Sequence, residues 1–196
     1  MAQSVQDIAA ALGAKAFGAV DLLVSGLSEP AHAGPDDLAL AMSPAYGEAL
    51  QLGKARAAGV PVVWIQHSDD WMAIGSEDWQ IVPQLSPASG EPRVRKLYRN
   101  SFEATDLEDV LAELGVGHVY VCGAQTNNCV RYTTHGALER GYDVTLLSDA
   151  HTTTDFETGG KKISAEFAVD ELNSSVYGEE LPGRKGIAMK VEEAFA

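Results

Sequence analysis

Short apolar runs alternate with segments of helical period along this chain, and glycines mark the joints between them. Val62–Ile65, Val119–Cys122 and Val144–Leu147 are unbroken apolar or β-branched runs, the pattern of strands buried on both faces. Between them the period is helical. Val5, Ile8, Ala9 and Leu12 share a face that Gly13 closes, and a helix from about Ala45 to Ala58, following an interruption at Pro44, ends at Gly59 and Pro61. Thr105 and Glu108 have capping-box spacing ahead of Leu107, Val110, Leu111 and Leu114, with Gly115 as the stop. A further helix is expected from about Asn128 to Arg140, closed by Gly141. Weaker signals predict a first strand over Ala16–Val20 ending at Asp21, a loop over Ser25–Pro35, a helix over Lys161–Leu172 and a short strand over Gly186–Lys190. Strands alternating with helices imply a parallel sheet covered on both faces, in one domain spanning residues 1–196.

Bulk chemistry narrows the partners. Lys and Arg number 14 against 28 Asp and Glu, a net charge of -14 that repels phosphate backbones and anionic headgroups. Nucleic acid and membrane partners are therefore not expected. No stretch reaches the ~18 apolar residues of a membrane span, and Asp7 interrupts what an export signal would keep apolar. Cys122 and Cys129 are the two cysteines, too few for a disulfide framework, and a reducing cytoplasm is the expectation.

Open parallel sheets bind ligands beyond the carboxyl ends of their strands, and Asp21, Lys96 and Cys129 fall at or just past such ends. The segment Gly123–Val130 leaves a strand and enters a helix, placing Cys129 in a first turn whose unpaired N–H groups favour a thiolate. The same residue type is equally at home as a small buried side chain. Cys122, inside an apolar strand, reads as a buried structural thiol. Lys96 has a plain alternative as a solvated surface lysine, and Asp21 as a helix or turn cap. Residues 67 to 93 are long for a connection without periodicity, and such loops tend to carry function.

The run Val121–Val130, followed by Thr133-Thr134, Ala137, Gly141-Tyr142 and Ser148–Thr153, resembles the isochorismatase-like cysteine hydrolases. Ala57–Val63 is similar to that family's second helix and strand, and Lys96 with Ser101-Phe102 and Thr105–Leu107 to the segment around its lysine. The resemblance runs from about Arg56 to Thr153. It implies an α/β fold, a three-layer α/β/α Rossmann-like sandwich with a mainly parallel central sheet. It also implies a triad of Asp21, Lys96 and Cys129 that cleaves a C–N bond of a small molecule, amide, ureido, carbamoyl or lactam, through a thioester. The oxyanion hole would be the N–H groups of Gln125 and Cys129, with a cis peptide at Ala124–Gln125. Asp21 is followed by Leu22-Leu23 where the family pattern has a hydrophobe and then glutamine.

Gln66, His67, Trp71, Trp79, Phe102 and Tyr132 are candidates for the pocket wall, although aromatics are more often core. Asp149 and His151 are expected to be structural. No cofactor is expected, and no metal: His67-Ser68-Asp69-Asp70 lacks the Asp-x-His arrangement of the related nicotinamidases, and His67 with Asp69 is a weak ligand pair. A homo-oligomer, dimer or tetramer, is expected by resemblance alone. The competing readings are a vinyl ether hydrolase of the isochorismatase type, which needs no thiol, and a catalytically silent binding protein. Nucleotide binding fails for want of a Gly-x-Gly-x-x-Gly turn.

Overall fold

The computed structural model describes residues 3–11, 21, 23–24, 26–28, 37–39, 52–83 and 85–195, in two compact units. The first comprises Met1–Gly53 with Val82–Leu85, and the second Lys54–Ile81 with Ser86–Ala196. The expected strand at 16–20 and the helical residues 45–51 lie outside the described residues.

In the first unit, β1 (Gln3–Ser4) pairs antiparallel with β2 (Leu23–Val24), and α1 (Val5–Ala11) follows β1 directly. The Ser4 hydroxyl accepts from the Asp7 N–H at 3.1 Å, a side-chain cap on that helix. Part of the segment read as loop is extended: β3 (Gly26–Ser28) pairs parallel with β4 (Asp37–Ala39).

In the second unit, the part of α2 (52–57) from Lys54 onward is followed by Gly59, whose φ of +70° is a left-handed conformation open to glycine. β5 (Trp64–His67) begins two residues later than its apolar run, because pairing starts only opposite β6 (Arg93–Lys96), with Trp64 beside Arg93 and His67 beside Lys96. Residues 68–92 hold turns and no helix or strand among those described. α3 (Leu107–Glu113) follows without the expected capping box. The Thr105 hydroxyl donates back to Ser101 O at 2.6 Å, and Glu108 reaches Arg140 instead. β7 (His118–Ala124) leads into a π-helical turn over Thr126–Val130 and then α4 (Arg131–Glu139).

β8 (Asp143–Thr152) outruns its apolar core on the carboxyl side. The segment read as one helix from Lys161 divides in two. β9 (Phe156–Thr158) and β10 (Lys161–Ile163) form a hairpin across Gly159-Gly160, and α5 (Ala165–Val176) starts after Ser164, whose hydroxyl accepts from Phe167 N–H. β11 (Glu179–Leu181) and β12 (Arg184–Met189) complete the chain's elements.

The four-stranded sheet of this unit runs β11-β12-β8-β7, parallel except at β11. Alternation along its strands sorts the core. Val144 and Leu146 of β8 are fully buried with Leu138 of α4 and Leu172 and Val176 of α5, and Val121 packs with them. Val94, Leu107 and Leu111 extend this cluster toward β6 and α3. On the opposite face Leu147 packs with Tyr120, Met189, Ala194 and Phe195. The Lys54 ammonium at α2 donates to Val191 O at 3.2 Å on that side. Cys122 is exposed, contrary to the buried reading. It lies where the β7–β8 register shifts, between Val121 opposite Leu146 and Gly123 opposite His151.

Candidate active site

β6 alternates exposed and buried, so Lys96 points to the same side as the core residue Val94. It is 4% exposed, far from the surface lysine of the plain reading. Its Nζ donates to the Tyr98 carbonyl at 2.9 Å and lies 3.0 Å from Cys129 Sγ. These two contacts bring the ends of β6 and β7 into one site. At about 3 Å, and with an effective dielectric near 20, two unit charges attract by roughly 5 kcal/mol. Burying an ammonium costs several kcal/mol.

The turn that carries Cys129 is fastened on several sides. Gln125 is extended (φ -96°, ψ 144°) after a cis Ala124–Gln125 peptide bond, and its carbonyl accepts from the N–H groups of Asn128 and Val130. Asn128 leaves the helical region (φ -126°, ψ -108°), so the helix read as starting at Asn128 becomes regular only at Arg131. Thr126 is fully buried and bonds His151 Nδ1 at 2.9 Å, while His151 Nε2 meets Asn173 Oδ1 at 3.0 Å. Asn173 Nδ2 donates to Ser148 O, which leaves its Oδ1 as acceptor. His151 therefore carries its proton on Nε2, and the Thr126 hydroxyl donates to Nδ1. Burial holds the His151 imidazole below its ordinary pKa, the Asn173 bond opposing in part. Thr153 Oγ1 donates to Asn127 Oδ1 at 2.8 Å. None of these supports was legible as a partnership in the sequence, although His151 and the threonines stand in the motif run.

The remaining candidates divide. Asp21 occupies a turn of the first unit and is exposed. Gln66 and Trp79 line a cavity of about 660 Å³ together with Arg93, Arg95, Thr105 and Asp106, and Lys96 and Cys129 do not line it. The Arg95 guanidinium sits 5.7 Å from the Trp79 ring centre. His67, beside Lys96 in register, bonds Asp69 at 3.0 Å. That bond and the Met72 N–H hold the Asp69 carboxyl below the usual range. Two further pocket-wall candidates sit at opposite extremes of exposure. Phe102, 7% exposed, belongs to the core and stacks on Tyr142 at 5.9 Å, with Arg140 over its ring. Trp71 is 92% exposed, since the turn set by Asp69 turns its indole to solvent. Tyr132 is exposed on α4 with the Arg99 guanidinium 5.6 Å from its ring. Among the described residues no group of three or more His, Cys, Asp or Glu is arranged to hold a metal. Nor is any helix among them long and apolar enough to cross a membrane.

The mainly parallel strands flanked by helices, with a buried lysine against a cysteine near the ends of β6 and β7, are those of an α/β protein. Residues 49–168, well over half of the chain, match the model of the isochorismatase domain, and the chain belongs to that family. It is 52% identical over 77 residues to a UDP-3-O-acylglucosamine N-acyltransferase of Ruegeria pomeroyi, covering 39% of this chain and 20% of that protein. It is 37% identical over 107 residues to streptothricin hydrolase of Streptomyces noursei, covering 53% and 42%. With ureidoacrylate amidohydrolase RutB of Caulobacter vibrioides the identity is 33% over 79 residues, covering 40% and 35%. The chain thus spans less than half the length of each of these relatives. In fold, it superimposes on a cysteine hydrolase of Pseudomonas syringae with a TM-score of 0.70 at 23% identity, over 88% of this chain and 90% of the other.

Proposed function

We propose that this chain is a cysteine hydrolase that cleaves a C–N bond of a small molecule, an amide, ureido, carbamoyl or lactam group, through a thioester on Cys129. The observation that carries the reading is the 3.0 Å contact between a buried lysine ammonium and the cysteine sulfur. The amidohydrolase and hydrolase names among the relatives support the bond class.

In the proposed sequence Asp21, assigned by resemblance, takes the thiol proton of Cys129, and Lys96 stabilises the resulting anion. The sulfur attacks the carbonyl carbon, and the oxyanion rests on the N–H groups of Gln125 and Cys129. Collapse breaks the C–N bond, and Asp21 returns its proton to the leaving nitrogen. Asp21 then takes a proton from water, whose oxygen attacks the thioester; collapse breaks the C–S bond and releases the acid, and Asp21 returns its proton to the Cys129 sulfur. A homo-oligomer acting in the cytoplasm without a cofactor is part of the same proposal.

The test is a panel of primary amides, ureido acids and lactams assayed for ammonia or acid release. Turnover that disappears in Cys129→Ala is the expected outcome. Turnover of a vinyl ether that survives Cys129→Ala, or no turnover of any member by the wild type, contradicts it.

A further inference from the structure

The loop that follows Lys96 is held by α4 as well as by its own strand. Ser101, 3% exposed, places its hydroxyl 2.7 Å from Thr133 Oγ1, and its N–H donates to the same oxygen at 3.1 Å. One turn along α4, a Cβ on Gly136 would lie 2.5 Å from Asn100 Nδ2 and 2.8 Å from Oδ1. That amide is not free to step aside, because Asn100 Oδ1 accepts from the Phe102 N–H at 3.1 Å. Arg140 closes the other end: it donates to Gly136 O at 3.1 Å and covers the Phe102 ring at 4.9 Å.

These contacts join the two halves of the Lys96–Cys129 pair. Thr133 stands four residues after Cys129, about one helical turn along the same stretch. Across the latch, Tyr98, three residues before Ser101, presents the carbonyl that accepts from Lys96 Nζ. Among the described residues no ladder joins β6 to β7, so backbone pairing does not fix the separation of their ends. A lysine side chain has about 2 kcal/mol of rotamer entropy with which to leave its contact.

We propose that Thr133 is a positioning residue: paired with Ser101, and with Gly136 kept bare to seat Asn100, it sets the distance between the Lys96 ammonium and the Cys129 sulfur. The proposal rests on the reading of those two side chains as the working pair.

The readout is the rate at which iodoacetamide alkylates Cys129 at about pH 6, resolved by peptide mass spectrometry so that Cys122 serves as an internal control. Thr133→Val keeps the shape and removes the hydroxyl. It slows Cys129 alkylation about tenfold or more, as a displaced cation predicts, while Thr133→Ser stays within about twofold of wild type. Cys122 alkylation is unchanged in both. A folded Thr133→Val protein that alkylates Cys129 at the wild-type rate overturns the proposal. If Thr133→Val does not fold, Ser101→Ala is read by the same criterion. No substrate is needed, so failure of the hydrolase reading is separable. A fast wild type, slow Lys96→Met and fast Thr133→Val remove the latch alone, whereas equal rates in wild type and Lys96→Met remove the pair itself.

Discussion

Lys96 has exchanged nearly all of its water for one carbonyl and one sulfur, which makes the consequence of deleting its charge specific. Removing one member of a buried ion pair usually leaves the other stranded, at a cost of about 3–5 kcal/mol. Here the partner is a cysteine, and methionine fills the space of the lysine without a charge to desolvate. Lys96→Met should therefore fold with an unchanged or higher Tm, yet lose at least about a hundredfold in hydrolysis once its anion loses the cation. A scan calorimeter and the amide assay check the two halves, and an equal loss of stability and activity would contradict the pairing. At this scale the sequence was informative where the signal is local. A cysteine just past a strand and a lysine at a strand end were readable. The Tyr98 carbonyl, the Ser101–Thr133 bond and the Asn173–His151–Thr126 chain join residues 22 to 32 positions apart or depend on a backbone atom, and no spacing rule reports them. The core place of Phe102 was not legible, because an aromatic beside a motif looks alike whether it lines a pocket or fills the core.

Between the residue and the molecule, α5 is the element that supports the turn carrying Cys129. Leu172, with no exposed surface, packs with Val130 of the turn and Leu146 of β8, and Asn173 beside it holds His151. Leu172→Ala should cost about 2–5 kcal/mol of stability, measured by urea denaturation, since the surrounding strand and turn can only partly collapse into the space. A loss below 1 kcal/mol would mean that the turn does not lean on α5. The elements most legible in advance were those with a clean period and a glycine stop: α3 before Gly115 and the strand–helix passage before Gly141. The β9–β10 hairpin was hidden, because its strands are three residues each and Ile163 fits the helical period of the segment beyond it. The π-helical turn was likewise hidden. Its irregularity comes from the backbone at Gln125 and Asn128, while its side chains read as an ordinary helix start.

For the whole molecule, two histidines bear on pH. Desolvation lowers the pKa of the part-exposed His118 and of the buried His151, so each takes up a proton less readily folded than unfolded. Their unfolded counterparts take up protons near pH 6.5, and the unfolded state then binds more protons than the folded one. Their contribution to stability is complete above about pH 6.5 and is lost as pH falls below it. Glu91 acts in a lower window. The Arg56 guanidinium, aided by the Trp64 indole N–H, holds its carboxyl at about 2, so its contribution is kept above about 4.5 and lost as pH falls toward 2. Tm measured from pH 7.5 to 5 should fall steadily, and His151→Gln should flatten part of that slope. A Tm that rises on acidification through 6.5 would contradict the lowered pKa of these two histidines. Over the described residues of the second unit the alternating strands and helices made the α/β class legible, whereas the partition into two units left no mark on the pattern.

The most direct measurement is the mass of Cys129 during turnover. Acid quenching of the enzyme with whichever amide of the panel it hydrolyses, followed by peptide mass spectrometry, should find the acyl fragment of that substrate on the peptide carrying Cys129 and not on the peptide carrying Cys122. Turnover with Cys129 unmodified, and sustained in Cys129→Ala, would show that the sulfur beside Lys96 is not the nucleophile.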